Sequence, residues 1–246
     1  MRTLRIFVSI YFGLTLLNSC KKDELPESPI VQGSAPIGNS ATNEPVIEPI
    51  SRNSGSEKIF SLDGKTFITG YTQRPNNQDA YVICEQNSTV IWSKYYDASP
   101  DDSKGVALIA AANDLIVAFT CTGGNTGLEA TSSVFQTSYG SGGGPKIVFL
   151  AKINPNTGAI LRATFIGCKL TNGNTNTLRP EDNNPNPISL LGSGNIQFKA
   201  TKAYDRGEGR LTPNIGPDAD CEISDGGWIG VFNRDMELLQ GDCTSN

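Results

Sequence analysis

Short apolar runs separated by polar turns recur across residues 57–246, and their order sets the expected fold. Three passages share one scheme of strand, tight turn, strand, gap, strand, short turn, strand. The first reads EKIFSL-DG-KTFITGYT, then DAYVICEQNSTVIWSKYY. The second reads GVALIAAAND-LIVAFTC, then KIVFLAKINPNTGAILRATFIG, and the third PISLLGSG-NIQFKAT, then GGWIGVFNRDMELLQGD. Val, Ile, Phe, Tyr and Thr dominate these runs, and no useful helical period runs through them, so the body is expected to be all-β. Asp63 with Gly64, Asn113 with Asp114 and Ser193 with Gly194 occupy the first turns and accept the positive φ of a hairpin. Four antiparallel strands joined this way make one blade. Three blades, at about 57–104, 105–182 and 183–246, predict an open or partial β-propeller-like domain. Ala107, Ala110, Ala111 and Ala112 suit a crowded innermost strand.

Strand parity carries the pattern further. In such a blade the second-to-third and fourth-to-first connections leave one end, and the tight turns leave the other. All the long insertions, 122–145, 168–186 and 202–226, fall in the first class. Long loops on a rigid scaffold are where binding concentrates, although unselected loop drift gives the same pattern. Tyr139, Arg179, Tyr204, Arg206 and Arg210 are the candidate binding-face residues, because Tyr and Arg contribute most to contact surfaces. The ligand class this reading leaves open is a protein or a glycan. An open end would expose strand edges, which predicts either self-association or a covering loop.

The stretch SSVFQTSYGSGGGPKIVFLAKINPNTGAILRATFIG resembles the bacterial β-propeller repeat family, in which a Gly-rich turn precedes a strand of the type Asp-Ala-Phe-Val-x-Lys. QDAYVICEQN and ITGYT in the first passage look like the same elements, while Pro145 and Lys146 stand where the family often has Asp-Ala. The resemblance implies blade packing and turn glycines. It carries over no catalytic residue.

Ahead of the repeats the composition changes twice. MRTLR is basic, and residues 6–17 are apolar. As a helix that run would reach about 18 Å, short of the roughly 30 Å hydrocarbon core, so it reads as an export signal over residues 1–19. Leu17, Asn18, Ser19 and Cys20 resemble a bacterial lipobox, which implies lipidation at Cys20 and a membrane contact made through acyl chains. An ordinary secretory signal is the alternative. Lys21 after the cysteine favours the outer membrane, and KKDE resembles a surface-export tag of lipoproteins. Residues 20–56, rich in Pro, Ser, Asn, Gly and Glu, then read as a disordered tether.

Charge and cysteine usage narrow the partners. The chain carries a formal net charge of -5 before any leader is removed, so phosphate backbones are repelled and nucleic acid is an unexpected partner. Of the six cysteines, Cys20 is the lipid site, and Cys84 falls toward the tight-turn end. Cys121, Cys168, Cys221 and Cys243 fall at the insertion end. In an oxidising envelope Cys121 with Cys168 and Cys221 with Cys243 are the preferred disulfides, among three connectivities, with a Cys₄ metal site as the sharper alternative. Asp218, Asp220 and Asp225 loosely echo a calcium loop, although aspartates in loops also bond their own backbone.

There is no histidine, which removes the commonest general base and every Ser-His-Asp or Cys-His arrangement. No cofactor is implied beyond the calcium candidate. The expectation is therefore a non-catalytic, surface-anchored binding or scaffold lipoprotein. Its alternatives are a carbohydrate-active hydrolase or lyase using Asp/Glu, and a purely structural envelope protein.

Overall fold

The strands form where the apolar residues alternate, and their burial follows from which faces those residues supply. The computed structural model describes residues 45–97, 99–122, 125–137, 147–170, 175–180, 186–202, 211–213 and 227–244, with backbone alone at 168–170, 175–180, 201–202, 211–213 and 243–244. They form fourteen β-strands and one 3-10 turn, Ser54–Ser56. No helix among the described residues is long and apolar enough to cross a membrane.

The first sheet is a four-stranded meander of β1 (Lys58–Leu62), β2 (Lys65–Gln73), β3 (Gln78–Gln86) and β4 (Thr89–Tyr95). The second takes β5 (Ser103–Ala111), β6 (Asp114–Cys121), β7 (Ile147–Ile153) and β8 (Ile160–Leu170). Two short strands follow, β9 (Thr175–Pro180) and β12 (Leu211–Pro213), and both pair with the far end of β8. The third sheet is β10 (Ile188–Leu190), β11 (Ile196–Lys202), β13 (Gly227–Phe232) and β14 (Leu238–Thr244). The fold is all-β and partial propeller-like, with three four-stranded antiparallel sheets and, among the described residues, no closed barrel.

The second sheet is the middle layer. Leu115, Val117, Phe119, Phe149, Ala151 and Phe165 face the first sheet, where they meet Phe67, Ala80, Val82, Cys84, Trp92 and Tyr96. The alternate positions Ile116, Ala118, Val148, Leu150 and Ile166 face the third sheet and meet Ile196, Phe198, Trp228 and Phe232. This is why LIVAF in β6 and IVFLA in β7 are continuous apolar runs: every residue of both is buried. Each large side chain so buried contributes about 1.5–3 kcal/mol of transfer free energy. β5 lies against β1 on one side and β10 on the other, so the first strands of the three sheets converge.

Tight turns of neighbouring sheets are stitched to one another. Lys65 Nζ donates to Asn156 Oδ1 at 2.7 Å, and Trp92 Nε1 donates to the Pro155 carbonyl at 2.9 Å. Arg234 donates to the Ala111 carbonyl at 3.2 Å and stands 3.9 Å from Asp114. These contacts put the tight turns at one end.

Several expectations are corrected. The β5–β6 turn falls one residue earlier than expected: Ala112 takes the positive φ of 53°, and Asp114 already belongs to β6. Ala112 is thus a turn residue. Ala107 and Ala111 are buried toward the third sheet. The insertion read as 168–186 contains the end of β8 and all of β9, and the one read as 202–226 contains β12. β9 also pairs with β11 through Thr201 and Arg179, so the second and third sheets join into one hydrogen-bonded path instead of standing apart.

The tether expectation also changes at its far end. Residues 46–48 run along the outer edge of β4 in parallel, with Ile47 bridged to Ser93. Ser93 N donates to the Val46 carbonyl at 2.9 Å, Glu48 N donates to Ser93 O at 3.0 Å, and Tyr95 N donates to Glu48 Oε2 at 2.7 Å. Ile50 then packs on Ile68, Tyr81 and Ile83 beside Val90 and Tyr95, covering apolar residues on the outer face of the first sheet. Val, Ile and Glu between Pro45 and Pro49 form an edge strap that proline confines to a single short bridge.

An ion-paired clasp closes the strap. Arg52 Nε and Nη2 donate to Glu57 at 2.6 and 2.8 Å, and Nη1 reaches Glu85 at 3.2 Å. Tyr81 Oη donates to Glu57 Oε1 at 2.6 Å. The Arg52 hydrogen bonds hold the Glu57 carboxyl below its ordinary range, against the opposing effect of burial, and the Tyr81 bond adds to the lowering. A depressed carboxylate stabilises the fold above its unfolded value, and that stabilisation disappears as the pH falls through the folded value. Glu57→Gln should therefore lower the urea midpoint at neutral pH, and the gap from the parent should close in acid below the ordinary carboxylate range.

At Gly105 the first two sheets approach closely. A Cβ there would lie 1.8 Å from Thr69 Oγ1 and 3.0 Å from the Gly70 nitrogen. Gly105→Ala should destabilise by about 1–3 kcal/mol through overpacking, read as a lower midpoint in chemical denaturation.

Candidate functional site

The insertion end is built on polar groups that fix the roots of its connections. β4 leads into Asp97, which is 5% exposed and fully engaged in hydrogen bonds. Its Oδ1 accepts from Ser99 N at 2.9 Å and Ser99 Oγ at 2.7 Å, and its Oδ2 accepts from Asn125 Nδ2 at 2.7 Å. Asn125 also donates to the Asp102 carbonyl at 3.2 Å, which accepts Thr122 N at 3.1 Å. One buried carboxylate thus ties the β4–β5 connection to the start of the first long insertion. Three donors on one carboxylate satisfy it as an acceptor.

The first insertion returns along the outer edge of β8. Thr131 N donates to the Ala163 carbonyl at 2.9 Å and Phe165 N to the Gln136 carbonyl at 3.0 Å. Gln136 Oε1 accepts from Gly167 N at 2.9 Å, and Gln136 N donates to the buried Thr164 hydroxyl oxygen at 2.8 Å. Phe135 then packs edge-on against Phe232 at 5.9 Å, which links this segment to the third sheet. Other segments of the chain run along part of the outer edges of β4 and β8.

Cation and aromatic side chains line the same end of the first two sheets. Arg74 lies over the Tyr95 ring at 5.0 Å while its Nε donates to Asp79 at 2.6 Å. Lys104 lies over Tyr71 at 4.9 Å. Asn77 Nδ2 donates to the other Asp79 oxygen at 2.7 Å, so the carboxylate fixes the β2–β3 hairpin and the arginine together. Arg74, Tyr95, Lys104 and Tyr71 were not singled out in the sequence because they sit on strand ends and a short hairpin, where no insertion draws the eye. The readable signal was a basic residue near each strand end that carries a tyrosine.

The sequence candidates fare differently. Arg179 lies in β9 opposite Thr201, with only its backbone described. Cys20, Tyr139, Tyr204, Arg206, Arg210, Cys221, Asp218, Asp220 and Asp225 lie outside the described residues. Among the described residues no group of three or more His, Cys, Asp or Glu side chains is placed to hold a metal ion. Cys84 is a buried free thiol packed with Phe67 and Trp92, and desolvation pushes its pKa up, which keeps it in the unreactive protonated form.

Register sets a strand between the two cysteines of the first expected pair, Cys121 and Cys168. Cys121 ends β6 opposite Ile147 of β7, while Cys168 lies on β8, the strand beyond β7. Two strand spacings put their Cα atoms about 10 Å apart, whereas a disulfide needs roughly 4.4–6.8 Å. Cys121 is buried, and its Sγ contacts the Ile147 carbonyl at 3.7 Å. Cys243 lies on β14 opposite Trp228, at the same end of its sheet.

The Asp97 network should be the stability determinant of this end. Asn125→Ala should cost about 1–3 kcal/mol by leaving part of a buried carboxylate unsatisfied, seen as a lower thermal midpoint. Comparison with protein-family models and with curated proteins returns no match for this chain.

Proposed function

We propose that this chain is an exported lipoprotein, held to the outer membrane through Cys20, that acts as a non-catalytic binding or scaffold module through its insertion end. One observation supports this reading above the others. The strap runs parallel to β4, and β4 runs from the tight turn at Asn87 and Ser88 toward the insertions. The strap therefore joins the first sheet beside Ser93, partway along β4, and heads toward the end from which the long connections leave. A strap that runs along the sheet toward the elaborated end suits a module that displays its contact surface away from its attachment.

The chemistry of that end supports recognition. Arg74 over Tyr95 and Lys104 over Tyr71 set cations on half-buried aromatic rings at this end, a combination that serves sugar rings or acidic protein segments. The neighbouring Asp97 and Asp79 are already engaged in hydrogen bonds, which suits them to holding loops.

Two measurements test the reading. Cys20→Ala should abolish labelling by a fatty-acid probe and move the protein from the membrane to the soluble fraction, and a membrane-retained, unlabelled variant would overturn the anchoring. In a thermal-shift screen against glycans and envelope proteins, a ligand that raises the midpoint of the parent should lose that effect in the Arg74→Ala, Lys104→Ala double variant. A shift that survives the double substitution would place the contact elsewhere.

A further inference from the structure

The strap is a strand-docking contact made by a separable piece of chain. Between it and β1 lie Asn53, Ser54, Gly55 and Ser56, a 3-10 turn with no buried residue. That turn is closed by Ser56 N and Ser56 Oγ, both donating to the Asn53 carbonyl at 3.1 Å. On one side of this hinge the strap presents two backbone groups to Ser93, a carboxylate to Tyr95 N, Ile50 to an apolar face and Arg52 to two acids. The receiving side is supplied by β2, β3, β4 and Glu57. Val46 and Ile47 remain 44% and 63% exposed, so the strap is held by its edge bonds and its clasp more than by enclosure.

We infer that the strap is exchangeable, and that the outer edge and face of the first sheet accept residues 46–52 of a second copy of this chain. The fit between occupant and site is already visible: an acid meets the Tyr95 amide, an isoleucine meets Ile68 and Ile83, and a cation meets Glu57 and Glu85. A second copy supplies the same groups in the same order. Exchange of an identical element remakes every contact of residues 46–52 and gives up hinge contacts alone, those within the turn and the Asn53 backbone bond to Tyr81, which makes it a low-cost route to a dimer. Each partner then contributes Arg52 and Glu48 to the other's first sheet. This inference does not rest on the lipid anchor or on the insertion-end ligand.

The test uses the full chain. One population carries Ile47→Cys and the other Ser93→Cys, the two positions that the parallel bridge sets side by side. After mixing and mild oxidation, a disulfide-linked heterodimer should form several-fold more than in a control mixture of Leu161→Cys with Ser93→Cys, Leu161 being exposed on β8. Its linkage should map to positions 47 and 93 by peptide mass spectrometry. A heterodimer yield no greater than the control overturns the inference. A second variant deletes Ser54 and Gly55, so that the strap no longer reaches its own sheet. Sedimentation at the dimer mass supports exchange, and a folded monomer overturns it.

Discussion

The second sheet has no polar face, and the rest of the fold answers that constraint. β6 and β7 bury every residue of their central runs, so the sheet is stable only with a layer against each side. The first and third sheets supply those layers, each with one apolar face. Their outer faces then have to be settled differently. On the first sheet, Ile68, Tyr81 and Ile83 are covered by the strap, and on the third the outward positions of β11 and β14 include Gln197, Lys199, Gln240 and Asp242. A three-layer stack can therefore satisfy its apolar surface without closing into a ring.

How much of this was legible follows from which residues carry period-two information. The runs in β2, β3, β6 and β7 are long, β-branched and aromatic, and Asp63 with Gly64 ends β1 as its residue types require. β9 and β12 escaped because TNTLRP and LTP are short, polar and proline-bearing, and they become strands only because β8 extends far enough to offer them an edge. The strap escaped for a related reason. Val46, Ile47 and Ile50 sit between prolines in a segment whose composition signals an unstructured chain, and only the unsatisfied edge of β4 gives them a partner. Local pattern is blind to a neighbour that arrives from elsewhere.

The cysteines and the site show the same limit. Strand parity put Cys121, Cys168 and Cys243 at the insertion end, and the backbone puts them there as well. Parity is silent on lateral position, and β7 lies between Cys121 and Cys168. Likewise the long insertions hold their own tyrosines and arginines, while the described cation–aromatic pairs, Arg74 with Tyr95, Lys104 with Tyr71 and Lys94 with Tyr96, come from strand ends. The Asp97 network could be suspected from DASPDDS but not assigned, because its fixing partner, Asn125, lies across a strand pair.

The parallel strap has a consequence for the order of assembly. Residues 46–48 leave the ribosome before β4 exists, yet β4 is the strand they pair with. Each antiparallel hairpin can zip as soon as its second strand emerges, whereas the strap must wait for the whole first meander and then fold back over it. Its closure belongs late in the maturation of that sheet, and until then a nascent molecule carries one open flank and a ready-made sticky end on the same chain.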